Sequence, residues 1–130
     1  MNRTRTRIAA GVGTAVLAAA VPVALAAPAM ADVEKRGACS NGARYDFDVD
    51  KDDGRYEVSF EVDSNVRGQQ WRLVLLHEGN RVFRDVRTTD REGEVDYERK
   101  RPDTAGSDTF RARAVNLGSG ETCSVTIVRR

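Results

Sequence analysis

The stretch YDFDVDKDDGRYEVSFEVD, residues 45–63, crowds carboxylates closely enough to suggest chemistry. Asp46, Asp48 and Asp50 fall at the first, third and fifth places of a calcium loop, and Glu57 falls at the twelfth, where such a loop uses a bidentate glutamate. Lys51 stands at the sixth place, where the sharp turn requires glycine. The same aspartates also alternate with Tyr45, Phe47 and Val49. In a strand, that alternation puts aromatic and branched side chains on one face and aspartates on the other. The strand reading uses every residue, whereas a calcium loop leaves Phe47 and Val49 idle. The expectation is a hairpin with a solvated acidic face around the turn KDDG, and no metal site.

The chain has one histidine, His77. General-base catalysis most often uses histidine, but a lone His beside the turn EGN at a strand end is expected to be solvated. One histidine cannot build the multi-histidine sets of zinc or copper centres. The glycines of GSG sit between two strands rather than ahead of a helix, so they form no phosphate cradle. Glycoside hydrolysis by two carboxylates needs a cleft with one acid in an apolar setting, for which a domain of this size has little room. No catalytic residue, cofactor-binding residue or cofactor is assigned. Arg81, Arg84, Arg87, Arg91, Arg99, Lys100, Arg101, Arg111 and Arg113 supply the opposite charge. Their chemistry suits an anionic cell-wall polymer. Pairing with Glu92, Glu94, Asp96 and Glu98 on neighbouring strands is the expected use.

The elements that must carry these residues are strands. After Asp32 no sustained i, i+3, i+4, i+7 apolar stripe appears, and short alternating runs are divided by Gly-, Asp- and Asn-rich turns. Strands are expected near Val33–Ala38, Ala43–Asp50, Arg55–Asp63, Gln70–His77, Val82–Thr89, Glu94–Lys100, Asp108–Leu117 and Glu121–Val128. In the first hairpin, Asp50 is set opposite Arg55, so that Val49 faces Tyr56, Phe47 faces Val58 and Tyr45 faces Phe60. In the last, Asn116 is set opposite Glu121, Ala114 opposite Cys123, Ala112 opposite Val125 and Phe110 opposite Ile127. WRLVLLHE places Trp71, Leu73 and Leu75 on one face, read as buried. Val74 and Leu76 lie on the other, read as partly covered by a loop. The fold expected is all-β: a small antiparallel β-sandwich, immunoglobulin-like in general build, with one disulfide.

Residues 1–31 read as a secretory signal peptide. Arg3, Arg5 and Arg7 precede an apolar run from Ile8 to Ala26, and AMA at residues 29–31 supplies the small-x-small cleavage pattern. The secreted domain is then residues 32–130. Loss of the three leader arginines from 21 Lys+Arg leaves 18 against 20 Asp+Glu. Residues 32–63 hold five basic and ten acidic groups, and residues 64–130 hold thirteen basic and ten acidic. That polarity falls short of a nucleic-acid footprint. Two cysteines, Cys39 and Cys123, stand near the ends of the domain. In an oxidising compartment an even pair reads as a disulfide.

The stretches DDGRYEVSFEVD and GQQWRLVLLHEGNRVFRDVRTT, with GETC paired to the earlier GAC, resemble a group of small secreted actinobacterial proteins of unknown function. The resemblance covers most of residues 33–125. It implies an extracellular single-disulfide β-domain and no mechanism. The resulting expectation is a secreted, non-catalytic binding or structural module at or outside the cell surface. Its partner would be an extracellular protein or a cell-wall polymer, with no nucleic acid and no membrane anchor after leader cleavage. Two alternatives remain open: an inhibitor of an extracellular hydrolase presenting the loop Lys100–Ser107, and a small hydrolase.

Overall fold

The computed structural model describes Gly11, residues 13–16, residues 18–20 and residues 32–130. The leader expected at residues 1–31 thus falls largely outside the described residues. Among the described residues no helix is long and apolar enough to cross a membrane.

Eight strands follow one another: β1 (Val33–Ala38), β2 (Arg44–Asp52), β3 (Arg55–Asp63), β4 (Gln70–His77), β5 (Asn80–Thr88), β6 (Glu94–Pro102), β7 (Asp108–Asn116) and β8 (Thr122–Arg129). They form two antiparallel four-stranded sheets, ordered β1-β2-β3-β6 and β5-β4-β7-β8. Neighbouring hairpins stay within a sheet. The chain changes sheets between β3 and β4, β5 and β6, and β6 and β7. The arrangement is sandwich-like, because period-two alternation gives each sheet one apolar face and the two apolar faces must cover each other. Phe47, Val49, Tyr56, Val58, Phe60 and Tyr97 of the first sheet share a core with Trp71, Leu73, Leu75, Phe110 and Ile127 of the second. Trp71, Leu73 and Leu75 have no exposed surface. The rings interlock at their edges: Phe47 meets Phe60 at 5.8 Å and Tyr56 meets Phe110 at 5.3 Å, both near perpendicular.

The disulfide joins Cys39 and Cys123 as expected. Cys39 follows β1, at one edge of the first sheet, and Cys123 lies on β8, at the edge of the second. The bridge therefore ties the two sheets along one side of the sandwich. Glu121, also buried, reinforces it by accepting the N–H groups of Asn41 (2.8 Å) and Ala43 (3.0 Å) on one carboxylate oxygen.

The register of the β7–β8 hairpin is the expected one, with Ala114 opposite Cys123, Ala112 opposite Val125 and Phe110 opposite Ile127. The β2–β3 register is not. Asp52, rather than Asp50, faces Arg55, and every partner moves by two: Val49 faces Val58 and Phe47 faces Phe60. The cause is a two-residue turn at Asp53-Gly54, with φ of 53° and 76°. Both central residues are left-handed there, as the twist of a tight hairpin demands. A shift of two keeps every side chain on its face, so the core is unchanged while the charge pairs are not.

Candidate functional site

The outward positions of the first sheet carry carboxylates across all four strands. Reading across the ladder, Glu34 aligns with Asp48, Ser59 and Glu98, while Arg36 aligns with Asp46, Glu61 and Asp96. Asp50 faces Glu57, and Asp63 faces Glu94. The expected register matched Asp50 with Arg55 and Arg44 with Glu61, leaving one like-charge pair at Asp48 and Glu57. The observed one places acids directly opposite acids in several rows, an arrangement that costs free energy. Burial, then the neighbouring Asp46, Glu34 and Asp50, pushes the Asp48 carboxyl up to about 6. Asp46, Asp50 and Glu61 are also raised, each chiefly by burial.

Oxygens of Glu34, Asp46 and Asp48 come within 4.8 Å of one another, close enough to suit a hard cation. Arg36 lies there instead, bonding Glu34 and reaching Asp46 at 3.1 Å. The twelve-place calcium loop does not form. Glu57 lies beside Asp50 rather than with Asp46, and Phe47 and Val49 are buried core residues.

The outer face of the second sheet has the opposite character. Arg72, Val74 and Leu76 of β4 are flanked in register by Val86, Arg84 and Arg81 of β5, and by Val115, Arg113 and Arg111 of β7. Arginine and aliphatic side chains thus alternate across the strands in each of these rows. Beyond β7, the positions are Thr122, Ser124 and Thr126 of β8. These ladder positions include no carboxylate. Among the described residues no ion pair joins these arginines to Glu92, Glu94, Asp96 or Glu98 as expected; β6 pairs with β3 in the first sheet and β5 with β4 in the second. Val74 and Leu76 are half-buried, and their register neighbours are these arginines. Arg99 and Arg87 behave differently from the rest. They close the open side of the sandwich, with Arg99 over the Phe83 ring at 4.3 Å and Arg87 bonding Asp85 and the Asp96 carbonyl.

His77 is buried, with 3% of its surface exposed. The solvated position expected for it is corrected by parity, since it continues the inward series Trp71, Leu73, Leu75. Its ring stacks on Phe110 at 4.2 Å. Arg101 Nε bonds Nδ1 at 3.1 Å, and Asp108 Oδ1 lies 2.7 Å from Nε2. An arginine only donates, so the ring accepts at Nδ1 and donates from Nε2 to Asp108. Asp108, fully buried, also accepts the Thr104 hydroxyl at 2.5 Å and the Thr104 N–H at 3.1 Å. Burial raises the Asp108 carboxyl, but the hydrogen bonds from Thr104 and His77 outweigh it and hold the group below its ordinary value. Although His77, Glu78 and Asp108 could also surround an ion, a direct His77–Asp108 bond fills that space. Glu78 accepts the Thr109 N–H instead. The Thr104 hydroxyl goes to Asp108 rather than to His77. The cluster is a clasp: Arg101 from one sheet, His77 and Asp108 from the other.

The clasp also revises the loop expected at Lys100–Ser107. Strand β6 runs on to Pro102, Lys51 holds Asp103 at 2.7 Å, and Thr104 is held by Asp108. Of the site residues, Arg72 and Asp108 were missed from sequence. Arg72 was legible as an outward position beside Trp71. Asp108 carried no local signal, because its partners lie on other strands.

Compared with known proteins, the chain matches no family model and no curated protein.

Proposed function

We propose that the protein is a secreted, non-catalytic binding module that docks an anionic extracellular polymer on the outer face of its second sheet. The observation that carries this is the alternation of Arg72, Arg81, Arg84, Arg111 and Arg113 with Val74, Leu76, Val86 and Val115 on a face without ladder carboxylates. Neighbouring strands lie ~4.8 Å apart and same-face residues ~6.8 Å apart along a strand. A flexible polyanion meets several guanidinium groups at once on such a grid, each able to grip a phosphate or carboxylate by two hydrogen bonds. The aliphatic residues between them lower the local dielectric and strengthen each contact.

We read the sandwich as immunoglobulin-like in general build, as expected from the strand pattern. β3 beside β6 in one sheet, and β4 beside β7 in the other, repeat the B–E and C–F pairings of that architecture. Trp71 takes the buried position on the C-like strand. The disulfide lies elsewhere, between the β1 side and β8. Secretion is supported by the leader and by a disulfide in a small domain, which suits an oxidising compartment.

The test is retention of the purified protein on an anionic polymer such as polyglycerol phosphate, across a salt series. Affinity should fall steadily with salt, as screening and counterion release require. Arg84→Glu/Arg113→Glu should lower it tenfold or more. Absence of retention at low salt, or retention indifferent to those substitutions, would reject the function.

A further inference from the structure

We propose that copies of this protein stack in a row, the acidic outer face of one first sheet lying on the arginine face of the next copy's second sheet. The inference rests on the reading of the arginine face as a working surface and supplies a second, competing occupant for it. Four observations favour a copy of the same chain.

The first is charge complementarity. The acidic face bears Asp46, Asp48, Glu61, Asp96 and Glu98 in adjoining rows, and the other face bears arginines. The second is unmet demand within the chain. Arg81, Arg84, Arg111 and Arg113 form none of the ion pairs found among the described residues. The like-charge rows are costly while uncovered, and guanidinium groups laid over them remove that cost.

The third is a shared grid. Both faces are antiparallel sheets with the same strand spacing and the same right-handed twist, so rows on one can follow rows on the other. The fourth is placement. The two faces point to opposite sides of the sandwich, so the contact is head-to-tail and does not close a ring; each copy added presents a free face to the next. A four-stranded face of eight- to nine-residue strands covers roughly 500 Å². The contact would then bury roughly 1,000 Å² in total, the low end for a specific interface. Association is accordingly weak, reversible and sensitive to salt.

Sedimentation velocity of the whole protein over a concentration series tests this, at about 20 mM and about 500 mM salt. At low salt the average sedimentation coefficient should rise with concentration beyond that of a dimer, and at high salt it should stay at the monomer value. Glu61→Lys/Asp96→Lys and Arg84→Glu/Arg113→Glu should each remain monomeric. An equimolar mixture of the two variants should associate again, because each then offers the face the other needs; that recovery also shows both are folded. A wild-type protein that stays monomeric at low salt, or a mixture that fails to recover, overturns the proposal. Polymer binding is scored separately. Glu61→Lys/Asp96→Lys should keep it, and a wild-type protein that binds the polymer but stays monomeric at low salt sinks the stack alone. Stacking without polymer binding sinks only the proposed ligand.

Discussion

His77 Nε2 stands 2.7 Å from Asp108 Oδ1, joining the end of β4 to the start of β7 inside the sandwich. With Arg101 on the other ring nitrogen, this one imidazole links both sheets. Buried polar groups are costly to leave unpaired, which makes the clasp a point of concentrated stability.

Asp108→Ala removes the acceptor for His77 and for both Thr104 donors. The expected loss is about 3 kcal/mol or more, read from urea unfolding. Thr104→Val keeps the His77–Asp108 bond and should cost about 1 kcal/mol. Equal effects from the two substitutions would show that the clasp is not centred on Asp108.

The acidic face and the clasp pull the pH dependence in opposite directions. Asp48, pushed up to about 6 by burial and by Asp46, Glu34 and Asp50, holds its proton more tightly when folded. Its contribution is present at low pH and is lost as pH rises from the unfolded value near ~4 through ~6. Asp46, Asp50 and Glu61 act in the same sense. Asp108 is lowered on folding, so its contribution is present above about pH 4 and is lost as pH falls through its folded value. Stability should therefore peak at about pH 4 to 5 rather than at neutrality. Urea midpoints measured across pH check this, and Asp48→Asn should flatten the limb between ~4 and ~6. A wild-type midpoint that rises through that interval contradicts the assignment.

The covalent edge gives a third expectation. Cys39 and Cys123 are separated by 84 positions. Replacing both with Ala frees the unfolded chain and should cost about 4–5 kcal/mol in the chain-entropy account. Glu121→Gln, which weakens the two N–H contacts beside the bridge, should cost about 1–2 kcal/mol. An unchanged unfolding midpoint in the cysteine double variant would mean that β1 and β8 are held together by packing alone.

Gly93 gives a backbone test. At φ 84° it lies against the backbone of Asn65 and Val66, which an added Cβ would strike. Gly106, at φ 80°, has open space around it. Gly106→Ala should cost about 1 kcal/mol for the left-handed backbone, and Gly93→Ala clearly more. Thermal unfolding of the pair checks the order, and a reversed order would put the packing of Gly93 against Asn65 and Val66 in doubt.

Alternation along the chain was enough to place the eight strands, to turn Phe47, Trp71 and Phe110 inward, and to align Cys123 with Ala114. Those features are local: side chains repeat every two residues and one face of each strand must leave water. The same rule, carried one step past Leu75, puts His77 inside. Only the tertiary structure decided which strands lie side by side. β6 joins β3, and β7 joins β4, through pairings between distant segments that no local period encodes. That choice gathers the acids on one outer face and the arginines on the other, where a different pairing would have interleaved them. It also brings Arg101, His77 and Asp108 together, because hydrogen bonds across a core depend on sheet order and not on spacing in the chain.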